Sequence, residues 1–227
     1  MKWIIFVVLM VGLLGSLPLR AFPLSGEELF EQAWQARAQG DYRTALELFE
    51  RCVAENVRVH DAYYEMGLIL LERGEYRRAF TVSGKAISAF RNHLEQNPDD
   101  HWSFFRLGYI HEVRSEAPSV REWQEAEEAM RKALELSPGN PLYLLHLGFV
   151  YYRKKEYDQA EKTLREAVSV HPTDVEIRYW LATVLKAQEK SEEAKEEFRF
   201  VIENAPPENR YLQWAKRDLA RLERKES

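Results

Sequence analysis

Three kinds of side chain in this 227-residue sequence could do chemistry: six histidines, one cysteine and a cluster of glutamates. Histidine titrates near neutral pH and is the commonest metal ligand. The histidines are His60, His93, His101, His111, His146 and His171. They are scattered along the chain, and the zinc spacing His-Glu-x-x-His fails after His111-Glu112 because residue 115 is a serine. The histidines therefore predict no metal site.

The cysteine and the glutamates favour structural roles over catalysis. Cys52 is the single cysteine, so it can form no internal disulfide, and its position on an apolar helix face predicts a buried packing residue. Glu125, Glu127 and Glu128 look like paired carboxylates, but their spacing fits the solvated face of a helix. The sequence contains no phosphate-binding glycine loop, no Gly-x-Ser-x-Gly elbow and no CxxC pair. We therefore expect a protein that is not an enzyme and uses no cofactor or metal.

Composition and charge limit the class of partner. The chain has 32 Lys and Arg against 37 Asp and Glu, a net charge of −5, with 45% hydrophobic and 12% aromatic residues. An acidic balance of this kind disfavours nucleic acid, so we expect a protein or peptide partner. Removal of residues 1–21 would take away Lys2 and Arg20 and lower the net charge from −5 to −7.

The first 21 residues predict an export segment. A positively charged start precedes an apolar run over residues 3–19, which as a helix would reach about 25 Å against a hydrocarbon core of about 30 Å. Pro18 near the end of the run favours a cleaved secretory signal, while the length of the run also allows an uncleaved membrane anchor. Either alternative exports the remaining chain. It would be periplasmic or secreted after cleavage, and otherwise membrane-anchored outside the cytoplasm through residues 3–19.

An internal repeat organises the rest of the sequence. Alanines that follow a short polar run recur at steps of 34, 47, 34 and 34 residues, at Ala45, Ala79, Ala126, Ala160 and Ala194. A small residue lies upstream of each alanine, at Ala33, Gly67, Gly108, Gly148 and Ala182. Apolar residues fall three and four apart between these markers, which predicts pairs of amphipathic helices.

This pattern resembles the tetratricopeptide repeat (TPR), a helix-turn-helix unit of about 34 residues. Residues 141–174 match best, through Leu147, Gly148, Tyr151 and Pro172 among others. The resemblance implies an all-α fold, an α-solenoid of five repeats with a C-terminal capping helix at residues 209–225. The repeats are predicted within a domain spanning 22–227, at residues 26–59, 60–100, 101–140, 141–174 and 175–208.

Local signals place the ends of several helices. Ser25 and Ser119 are each followed three residues later by a glutamate, the spacing of a capping box that begins a helix. Gly40 and Gly74 predict the tight turn between the two helices of repeats one and two, and Lys155 and Glu189 occupy the same place in repeats four and five.

Thirteen extra residues account for the 47-residue step. Seven of them lengthen the second helix of repeat two beyond residue 90, by about two turns that would protrude by roughly 10 Å. Six more separate the helices of repeat three around residues 115–119. These insertions are interpreted either as neutral drift of surface segments or as a partner-specific ledge.

The resemblance also implies a binding site. In the TPR family the first helix of each repeat lines a concave groove, and Tyr, Trp and Arg are the residue types that dominate binding hot spots. The predicted groove residues are Phe30, Trp34, Tyr64, Trp102, Phe105, Arg106, Tyr109, His146, Phe149, Tyr152, Arg153 and Tyr179. Family members that clamp terminal carboxylates use paired Lys and Asn, and those residue types do not occupy the corresponding positions here.

We therefore expect a non-enzymatic scaffold that binds a peptide or protein segment in an aromatic groove, within an envelope or secretory-pathway assembly. The alternative is a structural subunit of a larger complex that packs through its convex face or through the lengthened second helix of repeat two.

Overall fold

The structure is a computed structural model and describes residues 25–114 and 119–224. The regular secondary structure of this part of the chain is helical throughout. Its helices are α1 Gly26–Ala38, α2 Tyr42–Ala54, α3 Val59–Glu72, α4 Tyr76–Gln96, α5 His101–Val113, α6 Val120–Leu136, α7 Pro141–Arg153, α8 Tyr157–Val170, α9 Val175–Ala187, α10 Ser191–Asn204 and α11 Arg210–Arg224. The predicted signal or anchor lies outside the described residues, and none of the helices in the described ranges is long and apolar enough to cross a membrane.

The chain divides into two compact units, Met1–Arg58 and Val59–Ser227. The described part of the first unit holds α1 and α2, the helix pair predicted as repeat one. The second unit holds the helix pairs of repeats two to five, followed by α11 as the predicted capping helix. The predicted all-α fold of five helix pairs and a cap is confirmed.

Both predicted capping boxes occur. The Ser25 hydroxyl accepts a hydrogen bond from the Glu28 amide, and the Ser25 amide donates to the Glu28 carboxylate at 2.8 Å. Ser119 and Glu122 exchange the same pair of bonds at the start of α6. Each box satisfies two amide groups that the first turn of a helix leaves without an intrahelical partner, which fixes the helix start.

The turns of repeats one, two, four and five occur where they were predicted and place one residue each in the left-handed backbone region. Gly40 and Gly74 have φ angles of +77° and +72°, and Lys155 and Glu189 have φ angles of +64° and +63°. The left-handed region suits glycine, which lacks a Cβ, and is unfavourable for other L-residues by about 1–2 kcal/mol. Repeats four and five therefore form the same turn at a cost in local strain.

Small residues allow the two helices of a repeat to approach closely. A Cβ atom added to Gly148 on α7 would lie 2.6 Å from Cγ of Leu164 on α8, closer than real Cβ contacts allow. Leu164 itself is fully buried, as is Ala160 one turn earlier. In the first unit, Cys52 is likewise fully buried on α2, so its predicted role as a packing residue is confirmed.

The extra turns of repeat two pack against the protein, where a protruding helix was predicted. Helix α4 has 21 residues, whereas α8 and α10 have 14 each. Phe90 is fully buried and Leu94 is 8% exposed, in one cluster with Leu107 and Ile110 of α5. Periodicity gives the length of this helix but cannot show that the neighbouring helix offers apolar partners to its last turns.

Candidate functional site

Aromatic side chains on the first helices of repeats two to five and on α11 form a series of ring contacts from helix to helix, here called the aromatic ladder. Its members are Tyr64, Trp102, Phe105, Tyr109, Tyr143, His146, Phe149, Tyr152, Tyr179, Trp180, Tyr211 and Trp214. Ring centroids on neighbouring helices lie 4.7 to 6.4 Å apart in the pairs Tyr64–Tyr109, Phe105–Tyr143, Phe149–Trp180 and Tyr179–Tyr211.

The ladder has a buried base and exposed rings. Phe105, Tyr143 and Tyr179 are at most 6% exposed and belong to one hydrophobic core cluster. Trp102 is 41% exposed and stacks on Phe105 with ring centroids 5.2 Å apart and an interplanar angle of 18°. Leu142, on the neighbouring helix α7, is also 37% exposed. The exposed indole therefore rests on a fixed aromatic support.

Arg106 holds two rings of the ladder in place. Its guanidinium forms an ion pair with the carboxylate of Asp61, which is 4% exposed. The same guanidinium lies 5.0 Å from the ring centroid of Tyr64 and 5.6 Å from that of Trp102. A charge-assisted hydrogen bond combined with cation–π contacts restricts the positions of both rings. Arg106 was predicted as a groove residue, and in the structure it positions its aromatic neighbours.

His146 is the ionisable member of the ladder. Its Nδ1 lies 2.9 Å from the Glu112 carboxylate, and its ring meets Phe105 and Tyr109 edge-on at 5.3 and 5.2 Å. Burial disfavours a charged imidazole, but the adjacent Glu112 carboxylate outweighs burial and raises the pKa of His146. The ladder therefore contains a histidine–carboxylate pair that favours the protonated imidazole.

A second exposed group lies at the carboxyl-terminal end of α7. The Arg153 guanidinium lies 4.8 Å from the ring centroid of Trp123 and 5.6 Å from that of Phe149. Arg153 is exposed, and no carboxylate in the described ranges lies within ion-pairing distance of it. This positive charge beside aromatic rings can receive a carboxylate from another molecule.

Helix α11 covers the far end of the ladder. The Tyr179 hydroxyl donates to the Asp218 carboxylate at 3.1 Å, and Lys186 donates to the same carboxylate at 3.0 Å. Burial, together with the charge of Asp218, raises the pKa of Tyr179 to about 12. The Tyr211 hydroxyl also donates to Glu176 on α9. These bonds attach the capping helix to repeat five, so Tyr179 serves as core here.

Asp100 is the N-cap of α5, and several hydrogen bonds converge on its carboxylate. Its carboxylate accepts hydrogen bonds from the backbone amides of Trp102 and Ser103 and from the Ser103 hydroxyl, and it lies 2.9 Å from His93 Nε2. Burial acts to raise the pKa of Asp100, but the bonds from Ser103 and His93 outweigh it and lower that pKa to about 2. The cap therefore fixes the first turn of α5, which carries Trp102.

The predicted site residues divide by position and burial. Phe30 and Trp34 lie in the first unit, where Phe30 is 6% exposed against Phe49 and Trp34 is 50% exposed. The other ten lie in the second unit, on or beside the ladder. Phe30, Phe105 and Tyr179 are core residues with little surface to offer, and the remaining nine stay predicted binding residues.

Sequence reasoning missed part of the ladder. Tyr143 was not selected, because family groove positions skip it, yet it links α5 to α7. Tyr211 and Trp214 on α11 were assigned only to a cap. Their spacing could have indicated them. Tyr211 and Trp214 are three residues apart in the first turns of α11, and the first helices of the preceding repeats carry groove residues at the same place.

The arrangement suits binding better than acid–base chemistry. In the described ranges, no group of three or more His, Cys, Asp or Glu side chains is arranged to hold a metal ion. The glutamates at 125 and 127 are bound by basic partners: Arg91 donates to Glu125 at 2.7 Å, and Lys154 donates to Glu127. The predicted solvated glutamate face is therefore partly used in ion pairs between helices.

Comparison with known families agrees with the observed architecture. The tetratricopeptide-repeat profile matches residues 30–82. The profile of the cilia and flagella-associated protein 70 middle TPR-like domain matches residues 114–203. Together these matches fall on both units of the chain.

Individual proteins show the same similarity. Photosystem I assembly protein Ycf3 of Prochlorococcus marinus is 26% identical over 145 residues, which cover 60% of this chain and 82% of that protein. The crystal structure of TTC0263, a thermophilic TPR protein of Thermus thermophilus, aligns with a TM-score of 0.63 at 21% identity and covers 87% of this chain and 98% of the other. YrrB, described as a TPR protein with an unusual peptide-binding site, aligns with a TM-score of 0.57 at 16% identity, covering 85% and 92%.

Proposed function

We propose that this chain, which is built of tetratricopeptide repeats, is a non-enzymatic scaffold that binds a peptide or protein segment on its aromatic ladder. The observation that carries the proposal is Trp102, which is 41% exposed although Phe105 and Arg106 fix its position. A large apolar ring exposed to water gains free energy when a partner covers it, at roughly 25 cal/mol per Å² of apolar surface.

The rigidity of this ring favours binding further. Association costs free energy when side chains lose rotamer freedom at an interface, about 0.5–1.5 kcal/mol for each long side chain. Trp102 is already ordered in the free protein by its stacking on Phe105 and by the Arg106 guanidinium. When a partner inserts an apolar side chain beside Trp102 and Leu142, little of the binding free energy is therefore lost to ordering the Trp102 side chain.

The charges define the partner further. Arg153 is exposed beside Phe149, and within the described ranges no carboxylate pairs with it. A partner that places an acidic side chain here forms a salt bridge and keeps the cation–π contact. We infer that the bound segment combines apolar or aromatic anchors with at least one acidic residue.

The similar proteins support an assembly role. Ycf3 is named for the assembly of photosystem I, and YrrB is described as having a peptide-binding site. By this analogy, the scaffold would hold one segment of a subunit while a larger complex forms. The alternative of a subunit that packs through the lengthened α4 has less support, because Phe90 and Leu94 are buried against the chain itself.

We further propose that residues 1–21 export the chain to an envelope or secretory-pathway compartment. The support is the apolar run over residues 3–19 after a positively charged start. Sequencing the N-terminus of the protein purified from its native host tests this proposal. A mature chain that begins near residue 22 supports cleavage. An intact N-terminus on a chain recovered from the cytoplasm contradicts export.

A peptide selection tests the binding proposal. A library of random peptides displayed on phage is selected on the full chain, and the enriched peptides are measured by fluorescence polarisation. We expect enrichment of sequences that pair aromatic or large aliphatic residues with an acidic residue. Trp102→Ala should weaken their binding about tenfold or more, the effect of a hot-spot residue. Arg153→Glu should weaken the acidic peptides most, because the charge is reversed.

The matched control is Tyr76→Ala. Tyr76 is a 58% exposed aromatic residue on α4, outside the ladder, so its loss should leave affinity unchanged. Circular dichroism verifies that the Trp102→Ala, Arg153→Glu and Tyr76→Ala variants remain folded. Equal affinity of the Trp102→Ala variant and the original chain for every enriched peptide would contradict the proposed site.

A further inference from the structure

A polar cavity of about 250 Å³ lies between α4, α5 and α6 and shares no lining residue with the aromatic ladder. Three arginines, two glutamates and one histidine line it, namely Arg91, Arg114, Arg121, Glu122, Glu125 and His111. None of these residues was predicted to act in binding. The cavity is therefore a separate feature of repeat three and its border with repeat two.

His111 is the unusual residue of this cavity. It is 5% exposed, and neither ring nitrogen has a hydrogen-bond partner within the described ranges. The Nε of Arg114, also buried, has none either. A buried polar group without a partner loses its hydrogen bonds to water and gains none in return, so native proteins rarely keep one without a use.

Comparison between repeats shows that packing does not require a histidine here. His111 stands three residues after the small residue Gly108 on the first helix of its repeat. The same position holds Leu70 in repeat two and Leu185 in repeat five, each 1% exposed. In repeat four it holds Tyr151, whose hydroxyl donates to Glu127 at 3.4 Å. Leucine therefore fills this space within the same fold, and only repeat three of these four places an unpartnered polar group in it.

The hydrogen-bond donors around His111 favour an anion. Two arginines, Arg91 and Arg114, and two glutamates line the cavity, and the third arginine, Arg121, is 82% exposed to solvent. Arg91 holds Glu125 at 2.7 Å, but the Arg114–Glu122 and Arg121–Glu125 contacts are both 3.5 Å. The buried Nε–H of Arg114 therefore remains available as a donor. The cavity also borders the start of α6, where the helix dipole is positive. Guanidinium N–H groups only donate hydrogen bonds and cannot coordinate a metal ion, so the arginines suit an anion.

We propose that this cavity binds a small inorganic oxyanion of the phosphate or sulfate type. The oxygen atoms of the anion would accept hydrogen bonds from a ring N–H of His111 and from Nε–H of Arg114. Arginine suits this role because its planar group offers several donors in a fixed geometry. The cavity volume of about 250 Å³ is large enough for a tetrahedral oxyanion.

Binding should be linked to protonation of His111. Burial lowers the pKa of His111; the nearby Arg91 and Arg114 lower it further, while Glu122 and Glu125 act in the opposite direction. A bound dianion stabilises the imidazolium and raises this pKa. The pKa of His111 is therefore higher with the anion bound than without it. Because binding then favours the protonated imidazole, affinity for the anion increases as pH falls through the interval between these two pKa values.

The test is a pH titration of the histidine ring signals of the full chain by NMR, with and without sulfate at constant ionic strength. Sulfate is chosen because it keeps its charge over the range in which histidine titrates. We expect sulfate to raise the pKa of His111 by about one unit or more, while the other five histidines shift much less. The His111→Leu variant identifies the signal. An unchanged titration curve of His111 in sulfate would overturn the proposal.

Thermal unfolding gives an independent result. His111→Leu reproduces the residue of repeats two and five, so it should raise Tm by roughly 2–4 °C in chloride and lose the specific stabilisation by sulfate. Arg165→Gln is the control, since Arg165 is an arginine on α8 that donates to Glu161 at 2.8 Å, outside the cavity. This control should keep the response of the original chain. If sulfate raised Tm equally in the original chain and in His111→Leu, its effect would be general, and the site would be rejected.

Discussion

Repeats three and four each fold as a pair of helices, but their residues at matched positions have different roles. In repeat four, Gly148 meets the branched end of Leu164, Tyr151 has a hydrogen-bond partner, and the N-cap Asn140 bonds one backbone amide. Each of these groups serves packing or local structure. Repeat four therefore shows what the fold requires from a repeat of this kind.

Repeat three keeps the small residue, Gly108, but differs at the other two positions. Its N-cap Asp100 accepts several bonds and holds His93 of the preceding repeat, and its His111 is buried without a hydrogen-bond partner among the residues that the structure describes. Its first helix carries the exposed Trp102. Repeat four folds with Asn140 as its N-cap and with Tyr151 at the position of His111, so the helix pair does not require the aspartate or the histidine. The contrast indicates that, at these positions, repeat four is built for packing, whereas repeat three places an exposed ring and an orphan imidazole.

The largest expected effect concerns the close helix contact of repeat four. Gly148→Ala places a Cβ 2.6 Å from Leu164 Cγ, so the helices must separate, at a cost of about 2–3 kcal/mol in the free energy of unfolding. Gly108→Ala should cost less, about 1–2 kcal/mol, because its Cβ would lie 3.0 Å from the flexible end of Met130 and 3.1 Å from the backbone oxygen of Ala126, neither as close as 2.6 Å. Urea denaturation of the full chain measures both values.

Gly67→Ala provides the control in repeat two. Its Cβ would have an ordinary contact of 3.4 Å with the Ser83 hydroxyl, so the better helix propensity of alanine should stabilise the chain by up to about 1 kcal/mol. If the three substitutions had equal effects, stability would not depend on how closely the helices approach in each repeat, and the contrast between repeats three and four would lose its first support.

The second effect concerns the cap of repeat three. Asp100→Asn gives this repeat the N-cap residue type of repeat four and removes the charge that holds His93. Because Asp100 is about one-third exposed, solvent screening reduces the expected loss to about 1 kcal/mol at neutral pH. Urea denaturation at pH 7 measures the change.

The pH dependence of stability provides a second test of Asp100. The pKa of Asp100 is lowered in the folded chain from 3.8 to about 2. The folded state therefore favours the ionised carboxylate, and this contribution is complete above pH 4 and is lost as pH falls from about 4 to 2. Asp100→Asn should remove that part of the acid-induced loss of stability. An identical pH profile for both proteins between pH 4 and 2 would refute this role of Asp100.

Sequence patterns predicted the fold because its determinants are local. The capping boxes at Ser25 and Ser119 and the turn residues Lys155 and Glu189 act through bonds and dihedral angles within a few residues. The small residues recur at a fixed step, and their spacing gave the register of helix pairs. For this reason the helix starts, the turns and the close contact at Gly148 could all be predicted from spacing alone.

The candidate site was only partly predictable because its properties arise between repeats. Position within a helix marks Trp102 and Phe105 as one kind of residue, yet the first is 41% exposed and the second 5%. The difference depends on Tyr143, which covers Phe105 from a helix about forty residues further along the chain. Whether His111 has a hydrogen-bond partner depends likewise on side chains of α4 and α6. A periodic sequence pattern cannot predict which of those side chains reach the imidazole.

A smaller effect tests the matched position of His111 in repeat four. Tyr151→Phe removes the hydroxyl that donates to Glu127 at 3.4 Å, and it should cost about 0.5–1 kcal/mol, because Glu127 keeps its bonds to Lys154 and Arg131. His111→Leu, in contrast, should stabilise the chain. Calorimetry of the two variants compares the positions directly. Stabilisation by Tyr151→Phe would show that repeat four also holds a costly polar group.

The smallest effect concerns the turn of repeat four. Lys155 has a φ angle of +64°, where glycine avoids the clash of Cβ with the backbone. Lys155→Gly relieves this strain but also gives the unfolded chain more conformations, so we expect a net stabilisation of only roughly 0.3–0.5 kcal/mol. Gly74→Ala is the reverse change at the matching turn of repeat two and should destabilise, since its φ angle is +72°. Chemical denaturation measures both substitutions. If Lys155→Gly destabilised the chain, the lysine side chain would contribute more than its strain costs, and repeat four would carry a specific interaction at its turn.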